Sequence, residues 1–307
     1  MPSTCSLPTG WEPPPARAAA CASTPAAVRP RRSPRPWPTP ASTRWSCARR
    51  ATTSRVPSWA SSRRAAAMLR VELLKARRLP TPRWVFIVTF LAILVASAVV
   101  IGLKPTGRDV NWFVDAPGLA GQIMGPVGAI ILGAWVAGLD FASRTMRLTA
   151  TVQPARGRIL AAKLTAAVIL VVFFCAFAFG VAYGAARGCA LYGDAPFDSP
   201  VQLRDFGGQA LQAALWGLLG FCFALLLRSY IAGLVVTLVL AIGVDTLLQL
   251  IPTVGRYMFG SATTSLADSI AQRSAEFPVP EAAGIAAGWL VVLFVLGAIR
   301  FRRGDLA

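Results

Sequence analysis

Two groups of polar side chains in this 307-residue sequence are placed where they could do chemistry. Asp245 is a carboxylate inside an otherwise uncharged apolar run, and Gln249 follows it by about one helical turn. A cationic amphipathic segment from Asp140 to Lys163 joins two other apolar runs. A buried carboxylate is costly unless it is paired or hydrated, and an amphipathic segment can be docked by a partner.

Composition excludes several classes of catalytic site. The sequence has no histidine, which removes Ser-His-Asp triads, His-ligated zinc and His general bases. Its six cysteines lack paired metal-ligand spacing, and no Ser lies in a Gly-x-Ser-x-Gly sequence. No Gly-x-x-x-x-Gly-Lys-Ser/Thr sequence is present to cradle a nucleotide phosphate. We therefore predict no catalytic residue, metal site or cofactor, and a chain that does not hydrolyse ATP by itself.

Hydropathy predicts the elements that hold these groups. Hydrophobic residues make up 55% of the chain and charged residues 14%, with a mean hydropathy of +0.57. A helix needs about 20 apolar residues to cross the hydrocarbon core of a bilayer. We predict an all-α polytopic membrane protein with six transmembrane helices. They are expected at about residues 84–103, 119–139, 164–186, 207–227, 231–251 and 282–299.

The basic residues indicate the orientation of these spans. The segment before the first span, the second-to-third and fourth-to-fifth loops and the C-terminus together hold 14 Lys and Arg against three acids. The opposite loops hold six basic residues against eight acids. Because Lys and Arg are enriched in cytoplasmic loops, we predict that both termini are cytoplasmic.

Residues 1–67 have a different composition. They contain 12 of the 23 prolines and 11 arginines, but no Lys, Ile, Phe, Tyr, Asn, Asp or Gln. Such an amino-acid composition is expected when G/C-rich DNA is translated in a reading frame that was never selected to make protein. We predict a disordered low-complexity tail that is a mispredicted start, with the natural product beginning at Met68. A genuine basic tail that binds phosphate or lipid, and a transit peptide, are the alternatives.

The segment from Asp140 to Lys163 is the most informative stretch. An acid closes the second span, a cationic amphipathic stretch follows, and Pro154 interrupts it. A second helix is predicted to start near Ala155 and to run directly into the third span. Phe141, with Met146, Leu148 and Val152, offers an apolar strip for a partner, although ordinary positive-inside charge would give a similar pattern.

This segment resembles the ABC-2-type transporter permeases, especially the six-span permeases of bacterial antibiotic and lantibiotic export or immunity systems. In that family an acidic residue ends the second helix and precedes a Thr-x-Arg-x-Leu stretch, a turn, an Arg, an Ile-Leu pair and a Lys. The matching residues here are Asp140, Thr145, Arg147, Leu148, Pro154, Arg158, Ile159, Leu160 and Lys163. Asp140 stands where the family usually has Glu.

The stretch from Met68 to Arg78 resembles the amphipathic elbow helix that opens such permeases. Leu69, Leu73 and Ala76 share one face, although the charges of this helix are imperfectly separated from it. The resemblance assigns residues 68–307 to a permease transmembrane domain in the bacterial cytoplasmic membrane.

The resemblance implies partners as well as a fold. A separate cytoplasmic ABC ATPase would hold ATP and Mg, and a second permease copy would complete a homodimer that exports a substrate. No nucleic acid is expected to bind. The implied ATPase-coupling loop comprises Asp140, Phe141, Arg144, Thr145, Arg147, Leu148, Pro154, Arg158 and Lys163.

Asp245 leaves two roles open. It lies about 21 Å into the fifth span, where it could form a structural hydrogen bond or, with Gln249, line a transport pathway. The polar segment from Pro252 to Pro280 is similar to a partly re-entrant outer gate. Two other functions compete with the exporter: a transporter driven by an ion gradient through Asp245, and a non-transporting membrane assembly factor.

The sequence also repeats small residues at four-residue spacing. The sets are Gly121 and Gly125, then Gly180, Gly184 and Gly188, then Gly284 and Gly288. Such sets allow helices to approach closely, and we expect most of them to pack within one subunit.

Overall fold

The computed structural model describes residues 58–103, 112–142, 156–193, 197–249 and 251–303. These residues form helices and no strand. The helices are α1 Ser58–Arg78, α2 Pro80–Leu103, α3 Trp112–Ala142, α4 Arg156–Tyr192, α5 Ser199–Leu227, α6 Tyr230–Val239, a π-helical turn Leu240–Val244, α7 Asp245–Gln249, α8 Pro252–Gly255, α9 Phe259–Ile270 and α10 Val279–Arg303.

Within the described residues, six helical stretches are long and apolar enough to cross a membrane, as the hydropathy predicts. They lie at Pro80–Val99, Ala116–Phe141, Gly157–Tyr192, Ser199–Leu227, Tyr230–Gln249 and Val279–Arg302. Most extend beyond the charge-free runs of the sequence, because a helix continues through a charged residue at its end. The protein is therefore an all-helical, multi-pass membrane protein.

The helix before the first span is longer than expected. No fold is predicted before Met68, whereas α1 already begins at Ser58. The stretch from Arg63 to Ala67 consists of Arg and Ala, which are among the strongest helix formers. From Met68 onward the helix is amphipathic: Leu69 and Ala76 pack against the core, and Arg70 and Arg77 are exposed.

The centre of the bundle is a close contact between α3 and α5. A Cβ built on Gly133 would lie 1.9 Å from the carbonyl oxygen of Gly217, and one built on Gly217 would lie 2.9 Å from that of Ala129. Each glycine is thus required by the backbone of the facing helix. The two helices form a tightly packed pair around which the other spans are arranged.

The other small-residue sets divide into two kinds. Gly121 and Gly125 face α4, since Cβ atoms built on them would lie 3.0 Å from Ala182 and 2.7 Å from Phe179. For the sets on α4 and α10, no atom of the described residues lies within 4 Å of such a Cβ. Among the described residues, therefore, Gly180, Gly184, Gly188, Gly284 and Gly288 make no close contact of the expected kind.

The fifth span, Tyr230–Gln249, is one helical stretch that contains a π-helical turn. After α6 the chain makes the π-helical turn Leu240–Val244, and the short α7 ends at Gln249. The 12-residue α9 then packs between α5 and α10, with seven of its residues buried. A helix of that length is too short to cross a bilayer, so α9 fills space inside the bundle rather than adding a span.

Candidate functional site

Four charged side chains meet where α1, α3 and α4 come together. Lys163 of α4 lies 2.6 Å from Asp140 of α3 and 3.6 Å from Glu72 of α1, measured between Nζ and the nearest carboxylate oxygen. Lys75 of α1 lies 3.1 Å from both Asp140 and Glu72. Each ammonium therefore contacts both carboxylates. We call these residues the four-charge cluster.

The cluster is sheltered most strongly at the Asp140–Lys163 pair. The side chains of Lys163 and Asp140 are 3% and 6% exposed, whereas that of Lys75 is 32% exposed. Lys163 also donates to the backbone carbonyl of Val136 at 3.3 Å. Buried charges need both opposite charges and hydrogen bonds to offset their desolvation, and this pair has both.

Lys75 shows that attraction outweighs burial in the cluster. Partial burial by itself lowers the pKa of Lys75, but the negative charges of Asp140 and Glu72 and their hydrogen bonds raise it by more. The net result is a pKa above the ordinary value of 10.5. Lys75 therefore stays protonated at neutral pH and keeps α1 attached to α3.

Tyr230, the first residue of α6, packs against Gly138 of α3, two residues before Asp140. A Cβ built on Gly138 would lie 2.5 Å from the Cα of Tyr230. Arg228, with φ 54° and ψ 28°, adopts the left-handed conformation that ends α5, and its guanidinium donates to the backbone carbonyl of Arg300 in α10. The turn between α5 and α6 is thereby joined to α10 and lies against α3.

Asp245 is 3% exposed and caps the N-terminus of α9 from outside that helix. Its Oδ1 accepts the backbone N–H of Gly260 at 2.9 Å, and its Oδ2 accepts from Nε2 of Gln249 at 2.6 Å. The residue before α9, Met258, has no side-chain capping bond of its own. A carboxylate at a helix N-terminus is stabilised by unpaired N–H groups and the helix dipole.

A cavity of about 470 Å³ lies beside Asp245, between α3, α5, the fifth span and α9. Its polar lining includes Gln122, Gln212 and Thr264, and Gln212 donates to Thr264 at 3.0 Å. The rest of the lining is mostly apolar, for example Ile130 and Leu238. Its size is that of a small-molecule site.

The family model described as ABC-2 family transporter protein matches residues 68–244 of this chain. The chain belongs to the ABC-2 family. It is accordingly a membrane-spanning permease of the ABC-2 transporter family. A search of curated proteins finds no match.

In this permease the structure brings together the two ends of the predicted coupling loop. Asp140 and Lys163, which are 23 positions apart, form the shortest ion pair of the four-charge cluster. Phe141 is half-buried, with its ring 6.2 Å from that of Phe301 and perpendicular to it, so α10 covers part of its surface. Arg158 is exposed on the first turn of α4.

The middle of that loop lies outside the described residues. It includes Arg144, Thr145, Arg147, Leu148 and Pro154, whose assignment stays a prediction. The helix expected to start near Ala155 is found to start at Arg156 and to run unbroken to Tyr192. The predicted pathway residues Asp245 and Gln249 are hydrogen-bonded to each other.

Two residues of the four-charge cluster are missing from the predicted site. Glu72 and Lys75 lie next to the apolar face of α1, which is why the charges of that helix look imperfectly separated in the sequence. The charged residues beside the apolar face of α1 were the signal in the sequence that could have identified these two site residues, since a charge near a buried helix face usually has a partner. The partners, Asp140 and Lys163, lie on other helices.

Proposed function

We propose that this chain is the permease subunit of an ATP-driven exporter in the bacterial cytoplasmic membrane. A separate ABC ATPase, which holds ATP and Mg, docks on the segment from Asp140 to Lys163. The end of the bundle that carries the four-charge cluster then faces the cytoplasm. Two copies of the permease line one pathway, and their rocking alternates access to the two sides of the membrane.

The observation that carries this proposal is the ion pair between Asp140 and Lys163. It ties the end of α3 to the beginning of α4, so the segment between them is held at both ends. A segment with free ends would absorb a push from a partner by bending. With both ends held, a displacement of the segment is passed to α3 and α4 as a pair.

Close packing supports the transmission of that displacement to other spans. The helices are so close that a side chain at Gly133 of α3 would clash with the carbonyl of Gly217 in α5. A side chain at Gly138 of α3 would likewise clash with Tyr230 of α6. Helices that touch through backbone atoms cannot slide independently without a steric clash. Motion at the cluster is therefore expected to reach the fourth and fifth spans.

The surroundings of Asp245 favour an ATP-driven over an ion-driven mechanism. A coupling carboxylate must exchange its partners for a proton or a metal ion during each cycle. Both oxygens of Asp245 instead accept hydrogen bonds, from Gly260 and from Gln249, and this arrangement fixes the position of α9. A structural role explains the buried carboxylate without a coupling ion.

The docking proposal is tested by charge reversal in the loop. Arg144→Glu with Arg147→Glu should abolish recovery of the ATPase with the tagged permease from mild-detergent extracts, because the docking contact becomes repulsive. Membrane insertion should remain normal. The matched control is Arg70→Glu with Arg78→Glu, which reverses two exposed arginines of α1. Full recovery of the ATPase with the loop variant would contradict the docking role.

The direction of transport and the substrate class are further parts of the proposal. Export of an antibiotic or lantibiotic predicts that deletion of the gene sensitises its host to such a peptide. Restored resistance with wild type, but not with the loop variant, would connect the peptide to ATPase coupling. Unchanged sensitivity across antibiotic and lantibiotic classes would contradict this substrate assignment.

The homodimer is supported by the glycine sets on α4 and α10. Gly180, Gly184 and Gly188 on one helix, and Gly284 and Gly288 on the other, contact nothing within the described part of the chain. Close approach of a second copy would use such surfaces. Native mass spectrometry should show two permease chains per complex, and a single chain per ATPase assembly would contradict the homodimer.

A further inference from the structure

A groove with a volume of about 600 Å³ opens on the outer surface of the bundle between α1, α2 and α4. Its walls are apolar: Leu73 comes from α1, Phe86 and Ile87 from α2, and Ile169 and Phe173 from α4. The ring centroids of Phe86 and Phe173 lie 5.8 Å apart, so the walls formed by α2 and α4 are in contact. Ile87 and Phe173 are 52% and 64% exposed, so the groove is open to its surroundings.

The groove begins at the edge of the membrane and extends into it. Phe86 and Ile87 lie three and four residues after Arg83, which is about 5–6 Å along α2. Ile169 and Phe173 lie six and ten residues after Lys163, which is about 9–15 Å along α4. All four apolar residues belong to stretches that can cross a membrane. A groove in that position opens toward the hydrocarbon region of a bilayer.

Two arginines stand at the mouth of the groove. Arg77 lies in the last turn of α1 and Arg83 in the first turn of α2, and both line the groove and are exposed. Arg83 donates from Nη2 to the backbone carbonyl of Arg77 at 2.7 Å, which holds its guanidinium over the end of α1. Within the described part of the chain neither arginine is placed in an ion pair, so both retain donors for an anion.

We propose that this groove binds one anionic phospholipid. The headgroup phosphate lies between Arg77 and Arg83, and one acyl chain lies along the wall formed by Phe86, Ile169 and Phe173. Guanidinium groups match phosphate oxygens in geometry and charge, and an acyl chain matches an apolar groove that opens into the bilayer. The inference rests on this surface and does not depend on the proposed transport function.

The bound lipid would also support the four-charge cluster. Leu73 and Ala76 line the groove on the helix that carries Glu72 and Lys75. A lipid that fills the groove therefore packs between α1 and the membrane spans. Its loss should loosen α1 without removing any ion pair of the cluster.

Native mass spectrometry tests the proposal. The full chain is purified in mild detergent, delipidated, and mixed with phosphatidylglycerol or phosphatidylcholine. Wild type should retain one phosphatidylglycerol per chain in preference to phosphatidylcholine. Arg77→Gln with Arg83→Gln should weaken that retention by about thirtyfold, since each arginine near a membrane surface contributes about a factor of five. Arg70→Gln with Arg78→Gln is the matched control, because it removes the same charge from exposed positions of α1 outside the groove.

A second variant addresses the apolar wall without changing charge. Ile169→Trp should fill the groove and reduce phosphatidylglycerol retention while both arginines remain. A photoreactive phosphatidylglycerol should label peptides containing Phe86, Ile169 or Phe173 in wild type, which needs no variant to fold. Equal losses in both arginine pairs would show general charge attraction and overturn the proposal. Absence of labelling because a second permease copy covers the groove would overturn it too.

Discussion

Lys163→Met should destabilise this permease more than any other single change in the four-charge cluster. The substitution keeps an unbranched side chain of similar length and removes only the charged amine. Asp140, which is 5% exposed, then loses the shorter of its two lysine contacts, 2.6 Å against 3.1 Å. The backbone carbonyl of Val136 loses a donor as well.

The expected magnitude follows from burial. Breaking a buried ion pair by removing one partner costs about 3–5 kcal/mol, because a charge is left uncompensated. Lys75 remains beside Asp140, so we place Lys163→Met at the low end, about 3 kcal/mol. Lys75→Met should cost only about 1 kcal/mol, since that side chain is one-third exposed and water can replace it.

Equilibrium unfolding in mixed detergent micelles measures these costs. Wild type, Lys163→Met and Lys75→Met are compared under one set of conditions, with Asp140→Asn and the double variant Asp140→Asn/Lys163→Met completing a cycle. The double variant should be more stable than Lys163→Met alone, because it contains no buried carboxylate that has lost its closer lysine. The reasoning is refuted if Lys163→Met costs no more than Lys75→Met.

Substitutions at Asp245, Gly133, Gly184 and Lys75 test further features of the structure. Asp245→Ala should cost about 1–3 kcal/mol in the same unfolding assay, because it leaves the buried N–H of Gly260 without its acceptor and removes the partner of the Gln249 amide. Asp245→Asn keeps one acceptor and should cost less, so equal costs would contradict the capping role. ATPase recovery should be unchanged in the Asn variant. Gly133→Ala should cost about 3 kcal/mol or more, since its Cβ would lie 1.9 Å from the carbonyl oxygen of Gly217. Gly184→Ala should be neutral or slightly stabilising, since no atom of the described residues lies within 4 Å of the added Cβ, and a similar loss in both variants would refute the packing argument. Because the pKa of Lys75 is raised on folding, its contribution is complete below its ordinary value of 10.5 and is lost as the pH rises through the higher folded value. The stability advantage of wild type over Lys75→Gln should therefore be constant from about pH 7 to 9 and shrink above about 10.5, and an advantage that grows there would contradict the sign.

Properties that depend on length and hydropathy could be predicted from the sequence. Six spans were expected and the described residues contain six, because a bilayer requires apolar runs of a minimum length. The start of α4 near Ala155 was expected as well, since Pro154 cannot continue a preceding helix. These features depend on local residue order and need no knowledge of neighbours.

Features that depend on the packing of distant segments could not be predicted. Glu72 and Lys75 are recognisable as unusual on α1, but Asp140 and Lys163 become their partners only when three helices meet. The π-helical turn before Asp245 has no marker in the sequence, and it precedes the carboxylate that caps α9. Glycine spacing alone does not distinguish Gly133, which touches a facing backbone, from Gly184, which has no close neighbour among the described residues.

The most direct test of the proposed function is photo-crosslinking from the loop between α3 and α4. A photoreactive amino acid replaces Arg147 in the tagged chain, the native membrane is irradiated, and the captured proteins are identified by mass spectrometry. We expect the probe at position 147 to capture an ATPase with a phosphate-binding Gly-x-x-x-x-Gly-Lys-Ser/Thr sequence. The same probe placed at exposed Arg70 should not capture it. Capture of no ATPase from position 147, with the permease intact in the membrane, would contradict the coupling role of this loop.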